Sequence, residues 1–181
     1  LLNDAGRITG ATVDMGEPIL ASGSLPLALP EDYDRTAPYL NQPFEILGRT
    51  WMANVVSMGN PHNVLFLGAD DPALEDLDLE AIGPRFENDP LFPERVNTEF
   101  VRVESVSNVS MRVWERGSGE TMACGTGACA TAVACISNGL TDRTVDVRLK
   151  GGTLRINWNP DDNHVYMTGP AVAVFDGVIE Y

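Results

Sequence analysis

Residues 126–137 read TGACATAVACIS and are followed by Asn138-Gly139. Every position in this stretch is apolar or small, and the Asn-Gly pair is a helix stop. A helix with no polar face is buried on all sides, so the rest of the chain must supply the walls around it. Downstream, alternating segments at 144–149, 153–158 and 164–167 read as strands. Their turns are Lys150-Gly151-Gly152 and Asn159-Pro160-Asp161-Asp162-Asn163. Upstream, 99–106 and 109–115 alternate across Ser107-Asn108 and read as a hairpin. Further up, 44–58 reads as strand, turn at Gly48-Arg49, strand. Gly59-Asn60-Pro61-His62 interrupts, and a short strand follows at 63–67. Residues 8–15 form a strand closed by Gly16-Glu17-Pro18, and 21–43, rich in Pro, Gly and Ser, read as a surface loop. The acids at Asp70-Asp71 cap an expected amphipathic helix over 72–82, with Leu74, Leu77, Leu79 and Ile82 on its apolar face. Residues 172–175 and 178–181 are the last strand material. The expected class is α+β: a mixed, mostly antiparallel curved sheet wrapped around a central buried helix, in a single domain over 1–181.

The 181 residues fit one domain, and 44% hydrophobic content is enough for a core. Twelve basic residues stand against 26 acidic ones, a net charge of -14. Nucleic acid and anionic membrane surfaces are poor partners for such a chain, because both need clustered Lys and Arg. No apolar run approaches the ~20 residues of a membrane span. Leu1-Leu2-Asn3-Asp4-Ala5-Gly6-Arg7 lacks the layout of a secretory signal, so a cytoplasmic setting is expected. Cys124, Cys129 and Cys135 lie too close together, and in odd number, for a disulfide framework. Their spacing fits no common zinc pattern, so no metal is expected.

Cys124 stands immediately before the buried helix. A helix N-terminus carries unsatisfied N–H groups and a partial positive charge. These lower a thiol pKa and favour thiolate, and the same N–H groups can hold a carboxylate. Gly125 and Gly127 let a ligand come close to the backbone. One segment thus offers an acid–base group and an anion cradle, while Cys129 and Cys135, inside the helix, read as core. Two other readings compete. GTGACA at 125–130 matches the G-x-G-x-x-A dinucleotide fingerprint, but no buried strand runs directly into it. A Cys–His hydrolase would draw on His62 or His164 as base, yet no protease-type signature surrounds Cys124.

Five motifs carry a more specific resemblance. They are VDMGEP at 13–18, GNPH at 59–62, NTEFVRV at 97–103, ERGSGETMACGTGACA at 115–130 and MTGPAVAVFDG at 167–177. In sequence and order they resemble diaminopimelate epimerases over nearly the whole chain. The resemblance implies two pseudo-symmetric domains, each a mixed sheet around a central helix, with the active site in the cleft between them. It implies a pair of cysteines, one removing the α-proton as thiolate and the other returning a proton to the opposite face. LL- and meso-diaminopimelate then interconvert with no pyridoxal phosphate, other cofactor or metal, in the synthesis of lysine and peptidoglycan precursors. Carried onto this sequence, Cys124 is the acid/base of the second domain, and the N–H groups of Gly125 and Thr126 hold the reacting carboxylate. Asn60 and Asn97 bind the distal end of the substrate and Arg116 its distal carboxylate. Glu115 contacts a substrate ammonium near the thiol, and His62 lies beside the thiols and tunes them. The departure from the family is the first half: no MCGNG-like segment precedes residue 1. The expectation is therefore a C-terminal half that lacks its N-terminal domain and partner cysteine, binds substrate poorly and does not epimerise it. Its last strand, 172–181, would belong to the missing domain, and its open cleft face would favour a homodimer. A proline-racemase-like isomerase of the same fold, or a non-catalytic binding module, are the alternatives.

Overall fold

The computed structural model describes residues 1–4, 7–172, 174, 175 and 177–180. The central helix, α2, spans Gly125–Ser137, as the apolar stretch predicts. Ala128 to Cys135 are all wholly buried. Its exit is built by Asn138 and Gly139. Gly139 takes a left-handed φ of 68°, its N–H donates to Ile136 O at 3.0 Å, and Leu140 N–H donates to Cys135 O at 2.9 Å. This pair of bonds satisfies the carbonyls of the last turn. The Asn138 side chain donates to Ala134 O at 2.8 Å and to Asn54 Oδ1 at 2.9 Å, fastening the helix end to a strand.

Among the described residues, eleven strands make the sheet. They are β1 (Leu2–Asp4), β2 (Arg7–Asp14), β3 (Gln42–Ile46), β4 (Arg49–Ser57), β5 (Pro61–Phe66), β6 (Asn97–Ser105), β7 (Asn108–Glu115), β8 (Gly119–Glu120), β9 (Thr144–Leu149), β10 (Gly152–Trp158) and β11 (Val165–Pro170). Their spatial order is β1-β2-β11-β10-β9-β7-β6-β5-β4-β3, with β8 paired on β7. Among the described residues only β5·β6 and β7·β9 run parallel; every other named pair is antiparallel. The sheet and buried helix match the expected α+β class, and the hairpin is β6–β7.

Alternation along the middle strands sorts side chains into two cores, because successive residues of a strand face opposite sides. Val64, Val101 and Val113 join Ala128, Cys129, Val133, Val147 and Ile156 around α2. Their sequence neighbours Leu65, Phe100 and Trp114 turn the other way. There they pack with Trp51 and with Leu79 and Phe86 of a second helix, α1 (Leu79–Glu87). Phe86 meets Trp51 and Phe100 edge-on at centroid distances of 5.1 and 5.2 Å, the favoured aromatic geometry.

Helix α1 corrects the expected helix over 72–82. Only a single 3-10 turn forms at Leu74–Asp76, and the α-helix begins at Leu79, capped by Asp78 accepting from Ala81 N–H at 3.1 Å. Two arginines explain the delay. Arg102 takes the carbonyls of Gly68, Asp71 and Pro72 at 2.9–3.4 Å. Arg112 takes those of Leu74, Glu75 and Leu77 at 2.8–3.2 Å. Carbonyls held by guanidinium groups are not free for i→i−4 bonds, so the segment stays out of the α-helix. Asp71, expected as a cap, accepts from Gly68 N–H and pairs with Arg49 instead. At the C-terminus, residues 172, 174, 175 and 177–180 are not in a strand, which corrects the expected last strand; 173, 176 and 181 lie outside the described residues. The alternating strand over 8–15 is β2, and β1, which pairs with it, has no clear sequence signal.

Gly83 in α1 faces Trp114 so closely that an added Cβ would lie 2.2 Å from the indole ring. Alanine improves helix propensity by about 1 kcal/mol, but forcing a carbon into a filled core typically costs about 1–3 kcal/mol. The clash is expected to win. Gly83→Ala should lower the urea midpoint of unfolding, with a net loss of up to about 2 kcal/mol.

Candidate active site

Cys124 occupies the N-cap of α2, in extended conformation, with its Sγ accepting from Gly127 N–H at 3.3 Å. Its carbonyl receives Ala128 N–H at 2.9 Å. The N–H groups of Gly125 and Thr126 meet no acceptor among the described residues. The helix therefore begins with a thiol flanked by two free donors, as the helix-start reading expects. The GTGACA segment lies inside the helix rather than in a strand-to-helix turn, which removes the basis for a dinucleotide site.

The structure brings His62 and Glu99 to this thiol. β5 and β6 are parallel neighbours, and β5 begins at Pro61, so His62 is a strand residue rather than part of an interrupting turn. His62 and Glu99 are both wholly buried, and His62 Nδ1 lies 2.6 Å from Glu99 Oε1. His62 Nε2 lies 3.1 Å from Asn60 Oδ1, and Asn60 Nδ2 donates to Thr126 Oγ1 at 3.4 Å. Thr126 Oγ1 in turn is 3.6 Å from Cys124 Sγ. Ligand-type atoms of His62, Glu99 and Cys124 all fall within 4.8 Å of one another. Imidazole and carboxylate are bonded to each other there, and the cluster closes as a hydrogen-bond network. Gly127 makes room for it: an added Cβ would sit 2.7 Å from Glu99 Oε1 and 3.1 Å from Cys124 Sγ. Sequence reasoning did not single out Glu99. A Glu that alternates with apolar residues in a strand reads as a solvent-facing position, and only the parallel pairing with β5 reveals its partner.

The electrostatics correct one expectation. The helix start was expected to depress the thiol pKa. Instead burial, then the Glu99 charge, with Glu115 adding to both, push Cys124 up to about 11. The opposing bonds from Thr126 and from Gly127 N–H are outweighed. Desolvation penalises a thiolate more than these two hydrogen bonds favour it. Cys129 and Cys135, wholly buried inside α2, are pushed to about 12 by burial, in keeping with core roles. Burial also raises the Glu99 carboxyl above its ordinary range.

The remaining expected residues gather around the end of β7 and the start of β6. Glu115 accepts from the Thr121 hydroxyl. Arg116 is half-buried, its guanidinium donating to Glu94 O at 2.9 Å and its N–H to Asn97 Oδ1 at 2.8 Å. Asn97 Nδ2 donates to Pro61 O at 3.1 Å, so one amide ties the Arg116 turn to the segment carrying Asn60 and His62. Glu87, the last residue of α1, was not foreseen. It accepts from Gly117 N–H at 2.9 Å, Arg95 at 3.0 Å and Trp114 Nε1 at 2.7 Å, and so holds the same turn from below. An acid at a helix C-terminus opposes the macrodipole and would have been a clue had the helix been placed at 79–87. His164 stands apart, bonded to Asp14 at 2.9 Å on the exposed end of β11, and contributes nothing to the thiol. A cleft of about 670 Å³ opens elsewhere, among Arg102, Arg112, Arg148 and Lys150. Those cations are spent on Glu104, Glu120 and loop carbonyls.

The family profile of diaminopimelate epimerase matches residues 54–174. The diaminopimelate epimerase of Desulfovibrio desulfuricans is 53% identical over 178 residues, covering 98% of this chain and 61% of the relative. That of Moorella thermoacetica is 49% identical over 180 residues, covering 98% and 60%. The chain thus spans about 60% of the length of the curated relatives it matches. Among solved structures, the probable proline racemase of Agrobacterium radiobacter K84 superposes with a TM-score of 0.61 at 11% identity, over 96% of this chain and 56% of that one. The hydroxyproline epimerase of Agrobacterium vitis does so with 0.58 at 13%, over 93% and 51%. These two likenesses speak to the fold. With the sequence profile covering two-thirds of its length and relatives near 50% identity, the chain belongs to the diaminopimelate epimerase family.

Proposed function

We propose that this chain carries one of the two proton-transfer thiols of an enzyme that interconverts LL- and meso-diaminopimelate without a cofactor. The observation that supports this best is the start of α2, where Cys124 Sγ sits beside the unpartnered N–H groups of Gly125 and Thr126. A substrate carboxylate on those donors brings its α-carbon next to the thiol, and the same donors stabilise the charge that develops as the α-proton leaves. With its proton held by burial and by the nearby carboxylates, Cys124 is the acid of the resting site. The base must act on the opposite face of the α-carbon. In this reading it is a second cysteine supplied by protein outside these 181 residues, consistent with the 60% span. Arg116 and Asn97, linked through one hydrogen bond, suit a substrate with a second amino-acid end, and a guanidinium fork matches a carboxylate bidentately.

The exposed apolar side chains of Val172, Val174, Phe175, Val178 and Ile179 fit the same reading. Such a run calls for a covering partner, and a strand of the complementary domain would provide one.

The decisive test is deuterium incorporation at the α-carbon of LL-diaminopimelate in D2O, followed by proton NMR. The chain alone is expected to give no inversion. The chain joined to the N-terminal part that its relatives carry should give exchange and inversion. Cys124→Ala in that longer protein should cut the rate by about a thousandfold. Undiminished inversion by the Cys124→Ala protein would remove Cys124 from the chemistry, and inversion of proline or hydroxyproline in place of diaminopimelate would move the substrate.

The raised thiol makes a separate prediction. Iodoacetamide alkylation of Cys124, read by peptide mass spectrometry, should quicken about tenfold per pH unit from pH 8 through pH 10, following the thiolate fraction. A rate already level at pH 8 would show that the helix start prevails over burial.

A further inference from the structure

We infer that Glu99 is a positioning residue for Cys124, anchoring a side-chain relay Glu99–His62–Asn60–Thr126 that turns the Thr126 hydroxyl toward the thiol. The direction of each bond follows from the one before it. Asn60 Nδ2 donates to Thr126 Oγ1 at 3.4 Å, which leaves Asn60 Oδ1 facing His62 Nε2 at 3.1 Å. Oδ1 is an acceptor only, so Nε2 carries a proton. His62 Nδ1 and Glu99 Oε1, 2.6 Å apart, then share a second proton. Thr126 Oγ1 already accepts from Asn60, so its own hydrogen is free to donate to Cys124 Sγ at 3.6 Å. With the Asn60 amide reversed, Thr126 would spend that hydrogen on Asn60 Oδ1, and a Cys124 thiolate would keep only Gly127 N–H.

Three independent features make Glu99 the anchor. It is wholly buried, so its geometry is set by packing rather than by solvent. Gly127, with no Cβ, leaves room for the carboxylate. Glu99 Oε2 is buried with no partner among the described residues, an expense that a purely structural acid rarely carries. The ionisable groups around the thiol are His62 on β5, Glu99 on β6, Glu115 on β7 and Cys129 on α2.

The role in catalysis rests on the reading of Cys124 as a proton-transfer group, but the test is made without turnover. Iodoacetamide alkylation of Cys124 at pH 9 is measured by peptide mass spectrometry in this chain, with far-UV circular dichroism as a check on folding. Thr126→Val should slow alkylation by about tenfold, the value of a hydrogen bond to a charged acceptor. In the Glu99→Leu background the same change should slow it by no more than about twofold, since the hydroxyl is no longer directed. Asn60→Leu cuts the relay at a half-buried position and should abolish the Thr126 effect likewise, which keeps the test valid if Glu99→Leu does not fold. Glu99→Gln can donate its amide N–H to Nδ1 and preserves the direction of the relay, so the tenfold effect should persist there. An equal slowing by Thr126→Val in every background, no slowing in the parent chain, or loss of the effect in Glu99→Gln would each overturn the proposal. A failed cycle together with normal deuterium exchange in the longer protein would leave the epimerase reading standing. An intact cycle with no exchange would do the reverse.

Discussion

Helix α2 has no face that can meet water, and the architecture follows from that constraint. Wholly buried from Ala128 to Cys135, it must be enclosed, and one sheet can enclose it only by curving around it. The small side chains that make the helix apolar also make it thin, which brings the strands close. The fold resolves the enclosure asymmetrically. β4 to β7 are buried on both sides, with α2 on one and α1 on the other. The far strands β10 and β11 keep more exposed outer faces. The one place where the helix cannot be sealed is its first turn, where the N–H groups have no intrahelical acceptors. The site lies there because that end alone is left chemically unfinished.

Much of this was legible in the sequence. TGACATAVACIS followed by Asn-Gly gave the helix and its stop within one residue, because burial on all sides leaves an unmistakable pattern. The strands flanking it were equally plain, since hairpins keep their alternation and their turn residues adjacent. What was not legible depends on contacts between distant residues. The non-α-helical path of 72–78 is imposed by Arg102 and Arg112, which reach its carbonyls from two other strands. No periodicity within the segment reports that. Glu99 was missed for the same reason. Its role is defined by a parallel pairing with β5, and local sequence cannot show which strand lies alongside.

The thiol illustrates how two correct principles can conflict. A helix N-terminus does favour thiolate, and Gly127 N–H does bond Sγ. Yet the same enclosure that stabilises α2 strips water from its first turn, and two carboxylates stand nearby. The desolvation that protects the fold therefore opposes ionisation of the residue at its centre. A site of this kind is suited to holding a proton until a ligand changes its surroundings.

The narrow gap between Gly127 and Glu99 carries a consequence for sequence drift. Any side chain at 127 would intrude on the carboxylate, which has no space to withdraw because it is wholly buried. Position 127 is therefore free to change only once position 99 has shortened. A lineage that shortened the residue at 99 would gain room for alanine or serine at 127, while one that kept the glutamate would be locked into glycine. Co-substitution of these positions, far apart along the chain, is thus the trace that this cluster would leave in a record of descent.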